Sequence, residues 1–136
     1  MYTRLGILDL VKSIQEKIEE RTGCNCFDCV PKNAPSPFYF IEVKAVTPRN
    51  SKTMFRDLYT VWVHAISKPS DSRVEAYQLI QRLEEALTED VPLPSPFELV
   101  MQTNNGVRTI KQDETKEFHA VCEFTFMVCY GFQCKV

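Results

Sequence analysis

FHAVCEFTFMVCY (118–130) decides the fold, because its side chains sort cleanly into two sides when read as a strand. Successive strand residues point to opposite faces, so Phe118, Ala120, Cys122, Phe124, Phe126, Val128 and Tyr130 share one side, and every one of them can be buried. Glu117, His119, Val121, Glu123, Thr125, Met127 and Cys129 share the other side, which is mixed. LYTVWVHAI (58–66) divides in the same way: Tyr59, Val61, Val63 and Ala65 read as core, while Leu58, Thr60, Trp62, His64 and Ile66 are too apolar for a fully wet face. FYFIEVKAV (38–46), rich in β-branched and aromatic residues, sends Tyr39, Ile41 and Val43 one way and Phe38 and Phe40 the other.

The remaining elements fall around these strands. Ile7, Leu8, Val11, Ile14 and Ile18 recur at three- and four-residue spacing and predict an amphipathic helix over 4–21, with Gly23 as its left-handed C-cap. GCNCFDC (23–29) then falls in a loop that runs on through Pro31, Pro35 and Pro37. TPRNSKTMFRD (47–57) reads as a polar connection too long for a tight hairpin. Ser72 and Glu75 have capping-box spacing ahead of a second helix, whose stripe is Val74, Tyr77, Ile80, Leu83 and Leu87. FELVMQT (97–103) and VRTIKQ (107–112) flank Asn104-Asn105-Gly106, a pair of strands about a hairpin turn, and DETKE turns the chain into 118–130. The order α-β-β-α-β-β-β predicts an α+β fold, a mainly antiparallel sheet with helices packed on it, as one domain over 1–136. If both helices cover one sheet face, the other exposes a Trp, two Phe and a Met, more apolar surface than a free monomer leaves wet, and reads as a subunit interface. If each face takes one helix, it does not.

A chain of 136 residues is long enough to bury a core without staples, and its 44% apolar and 25% charged content is that of a soluble globular protein. A net charge of −2 speaks against a dedicated nucleic-acid binder, and acidic residues interleave with Lys44, Arg49, Lys52 and Arg56. No apolar run reaches the ~18 residues of a membrane span. MYTRLGILDLVKS places an Asp and a Lys where a signal peptide needs an apolar stretch, so the expected setting is a reducing cytoplasm in which the six cysteines are thiols.

Chemistry is sparse. No phosphate-binding glycine loop and no nucleophile elbow is present. Cys26-x2-Cys29 is one good zinc-ligand pair and Cys24 adds a second bite, but the fourth ligand would have to come from Cys134. Between Cys26 and Cys29 lie only Phe27 and Asp28, and the acid disfavours the thiolate that redox exchange needs. His64 and His119 lie on mixed strand faces and become neighbours if their strands pair. Glu84-Glu85 and Glu89-Asp90 read as solvated carboxylates. No segment suggests catalysis, no cofactor is expected, and the cysteines read as mostly structural thiols, with Cys24, Cys26, Cys29 and Cys134 an under-specified zinc set.

SPFYFIEV, SKTMFRDLYTVWVHAIS, YQLIQRLEEAL and TIKQDETKEFHAVCEFTFMVCYGFQCK together resemble the small tail-completion or tail-terminator proteins (tail-to-head joining) of long-tailed phages and Gram-positive prophages. The likeness covers nearly the whole chain and leaves out CNCFDC. It implies a non-enzymatic role: a ring, typically of six copies, on the head-proximal end of the tail tube, which stops tube growth and meets the neck of the head. The implied partners are other copies of the chain, the tail tube protein and a head-neck connector protein. Ring closure by a heterologous contact needs two different patches. The residues offer the outward sheet face, with Phe38, Phe40, Trp62 and Met127, and the 47–57 segment, where Arg49, Lys52 and Arg56 flank Met54 and Phe55. Two other readings stand beside it: a head-side neck component, and a small metal- or thiol-binding regulator built on Cys24, Cys26 and Cys29.

Overall fold

The computed structural model describes residues 3–132. Its elements are α1 (Ile7–Thr22), β1 (Asn25–Phe27), β2 (Phe38–Pro48), β3 (Met54–Ile66), α2 (Val74–Ala86), β4 (Glu98–Gln112) and β5 (Phe118–Phe132). The strands form one sheet in the order β1-β2-β3-β5-β4. Every neighbouring pair is antiparallel except β1 with β2. The fold is therefore the expected α+β arrangement of a mainly antiparallel sheet with helices packed on it.

Both helices lie on the same sheet face. One core joins Leu10, Ile14 and Ile18 of α1 and Leu79 and Leu83 of α2 to Tyr39, Ile41, Tyr59, Val61, Val63, Cys122, Phe124, Phe126 and Val128 of the sheet. The two buried hydroxyls in this layer are satisfied: Tyr39 donates to the Leu79 carbonyl at 2.7 Å and Tyr59 to the Leu5 carbonyl at 2.8 Å. Asp57 is 98% covered beneath the start of α1, since its residual exposure is 2%. Its Oδ2 takes Arg4 Nε at 3.3 Å, while Oδ1 has no hydrogen-bond partner.

Several local expectations give way. The helix stripes are rotated: Leu10, Ala76, Leu79 and Ala86 are buried, whereas Ile7, Leu8, Val74 and Tyr77 are exposed. α1 starts only after Gly6, which leaves Ile7 and Leu8 in the first turn beyond the edge of the core. Gly23 does cap α1 in the left-handed region, φ 74°, with its N–H on the Glu19 carbonyl at 3.1 Å. The Ser72–Glu75 capping box does not form. Ser72 Oγ instead accepts the Val74 N–H at 3.2 Å, and Glu75 accepts the Lys68 N–H at 3.0 Å.

The strands run further than their apolar cores. β2 and β3 meet across residues 49–53, a short hairpin closed by Arg49 N–H on Arg56 O at 2.9 Å, not a long connection. Asn104-Asn105-Gly106 is not a turn. β4 passes straight through it, because β5 has 15 residues to pair with and so accepts both halves as one strand. Gly106, at φ 98°, and the Asn104 carboxamide on its N–H at 2.8 Å absorb a bulge there. The turn that does reverse the chain is 113–117: Lys116 N–H closes on Asp113 O at 3.0 Å, and Lys116 takes the left-handed φ of 67°. GCNCFDC holds the edge strand β1, not only loop, and Cys26 is buried there beneath α1.

Candidate functional site

With both helices on one face, no element of the described residues lies over the opposite face of the sheet. Trp62, Phe40 and Met127 are half-buried on this face. Phe38 is buried, with the Phe27 ring of β1 set edge-on at 5.7 Å, so its own chain already covers it. Met127 lies in register between Leu58 of β3 and Met101 of β4, and Met101 is 56% exposed.

This face is less apolar than its large residues suggest. Lys44 Nζ stands 4.4 Å above the Trp62 ring, and Trp62 Nε1 donates to Glu123 at 3.1 Å. Asn105, freed by the β4 bulge, donates to the second oxygen of Glu123 at 3.0 Å. A shallow concavity of about 320 Å³ lies between Trp62, Val121 and the β4 residues Asn105, Val107, Arg108 and Thr109.

The two histidines come together as strand pairing predicts. Ile66 is in register with His119, which brings His64 within 2.7 Å, Nδ1 to Nε2. His64 Nε2 reaches Glu42 at 3.0 Å, and Phe40 stacks flat on the imidazole, centroids 4.1 Å apart. The carboxylate fixes the tautomers: His64 donates through Nε2 to Glu42, so its Nδ1 accepts from His119 Nε2–H. Burial lowers the pKa of His64 despite the favourable hydrogen bond to Glu42. Burial, then the neighbouring His64, lowers that of His119. The hydrogen bond from His64 holds the Glu42 carboxyl below its ordinary value. Two nitrogens at this distance share one proton and resist a second, and the contact leaves no room for a metal between the rings. Glu42, Lys44 and Glu123 were missed in the sequence because alternation marks where a side chain points, not what it pairs with across the sheet.

Of the second patch, Arg49 and Lys52 are exposed on the 49–53 hairpin, while Met54, Phe55 and Arg56 are half-buried at its base. Phe55 stacks on Tyr130 at 6.0 Å, and Arg56 Nε holds the Arg49 carbonyl at 2.8 Å. The hairpin is thus a structured element.

The cysteines do not assemble into a site within the described residues. Cys24 is half-buried against the core, Cys26 is buried and Cys29 is exposed; all are free, as are Cys122 and Cys129. Burial, with the Glu19 carboxylate beside it, pushes the Cys26 thiol up to about 12, and burial with Glu84 does the same for Cys122. Among the described residues no three of His, Cys, Asp and Glu are grouped to hold a metal ion, and Cys134 lies outside those residues. No described helix is long and apolar enough to cross a membrane.

Comparison with known proteins places this geometry. No curated protein sequence matches the chain. Among solved structures, a chain from the "Virion of native gene transfer agent (GTA) particle" superposes with a TM-score of 0.75, covering 93% of this chain and 99% of that one at 15% identity, a likeness of fold. A family model described as "Putative tail termination protein" matches residues 1–136. The chain belongs to that family, the phage tail terminators, and is a structural protein of the phage tail.

Proposed function

We propose that the protein closes into a ring, six-membered as the family resemblance implies, on the head-proximal end of the tail tube. There it ends tube polymerisation and presents the surface to which the head's neck joins. Assembly takes place in the host bacterial cytoplasm, and the finished ring stays in the virion between tail and neck. The role is structural and non-catalytic. The observation that supports it best is the uncovered sheet face: both helices are spent on the other side, and Phe40, Trp62 and Met127 stay part-exposed with no element of the described residues above them. The basic hairpin with Arg49, Lys52, Met54, Phe55 and Arg56 is a further contact surface, distinct from that face.

The test is to add purified protein to polymerising tail tube subunits and measure tube lengths. Mean length falls as the ratio of added protein rises, and Trp62→Ala, confirmed as folded by circular dichroism, weakens the effect at least several-fold. Tubes of unchanged length at every ratio contradict the reading.

A further inference from the structure

We propose that the seam between neighbouring copies is the β2–β3 hairpin of one copy seated against the β4 edge of the next; the proposal rests on the ring reading above. Residues 48–56 contain Arg49, Lys52 and Arg56 and no acid. None of these charges is neutralised among the described residues. The Arg49 and Arg56 guanidinium groups donate to backbone carbonyls, those of Pro48 and Arg49, and the next acid, Asp57, is buried and held by Arg4.

The complementary surface is on the same molecule. Residues 84–98 contain Glu84, Glu85, Glu89, Asp90 and Glu98 and no base. Gln102 of β4 clamps this run to the sheet edge: its amide nitrogen holds the Leu87 and Glu89 carbonyls at 2.8 and 2.9 Å, and its oxygen takes the Val91 N–H at 3.0 Å. Glu89 is occupied by Lys17 and Arg21, whereas Asp90 and Glu98 are exposed and make no ion pair among the described residues. Beside Glu98, Val100 and Met101 are 38% and 56% exposed, an apolar centre to meet Met54 and Phe55.

The register places the two patches near one another on different parts of the sheet. Arg56 of β3 and Glu98 of β4 are both in register with Cys129 of β5, so the hairpin leaves the same end of the sheet at which the open β4 edge begins. Ring closure needs a heterologous contact between two different patches, and these two differ and carry opposite charge. A second copy is therefore the occupant that the charges select.

The experiment is native mass spectrometry of assembled species, with circular dichroism to check folding, on three full-length variants. Arg49→Glu with Lys52→Glu reverses the hairpin and leaves the Arg56 bond in place. Asp90→Lys with Glu98→Lys reverses the edge. The third carries all four changes. Each reversal lowers the ring population at least tenfold, added salt lowers the wild-type ring, and the four-fold variant recovers it. Rings that persist in both reversals overturn the contact, and so does a folded four-fold variant that stays unassembled. A hairpin reversal that keeps its ring but loses tube or DNA binding also overturns it, since the hairpin then serves another partner. If the wild type itself forms no ring, the ring reading falls too, which separates the two failures.

Discussion

At the scale of single residues, the outer sheet face depends on side chains whose partners come from other strands. His64 is the clearest case: its ring is enclosed by Glu42, Phe40, Trp62 and His119, with Lys44, Lys111 and Asp113 as the further charges acting on the pair. Both histidines have folded-state pKa values below their ordinary ones, so the neutral rings favour the fold. That stability is fully present above the unfolded value of about 6.5 and is lost as pH falls through the folded values. Glu42, also lowered, contributes in a separate and more acidic window, below the ordinary carboxylate value. Thermal midpoints should therefore decline between pH 7 and pH 5, and His64→Leu should flatten that decline; an equal decline in both proteins contradicts the assignment. The sequence showed that His64 and His119 would meet if their strands paired, but nothing in it marked Glu42 as the third member. The cysteines had the opposite fate. Their spacing drew attention, yet Cys26 is a core side chain of a three-residue edge strand, which composition cannot distinguish from a ligand loop.

At the scale of elements, the strands that carry the core were legible because alternation survives burial on one face. Helix phase was less so. In α2 the pattern put Tyr77 in the buried stripe, but the structure buries Leu79 instead, which is 1% exposed against 53% for Tyr77. The choice follows from small residues: Ala76 and Ala86 let the helix approach the sheet closely, and alanine contributes weakly to any apolar stripe. Leu79→Ala should cost about 2–5 kcal/mol by leaving a cavity. Tyr77→Ala should stay within about 0.5 kcal/mol. Urea unfolding of the pair checks the phase, and the reverse ranking would contradict it. The Asn-Gly turn failed for a related reason. A glycine at positive φ serves a hairpin or a bulge equally, and only the length of β5 beside it decides.

At the scale of the whole molecule, what the fold leaves uncovered matters more than what it buries. Two helices on one face give a stable layer and free the other for contact, and the sheet presents a basic β2–β3 hairpin and an acidic β4 edge as separate patches. Neither asymmetry is visible in net charge, which is only −2 because the two surfaces nearly cancel. The surfaces could be nominated from sequence, as Trp62 and the 47–57 segment were, but pairing a hairpin with the β4 edge required knowing which strand ends the sheet. If this protein stops the tail tube, deleting its gene from the source phage or prophage lets the tubes overgrow, and electron microscopy of the resulting particles shows it. Overlong tails separated from filled heads are the predicted result. Tails of normal length, attached or not, would contradict it.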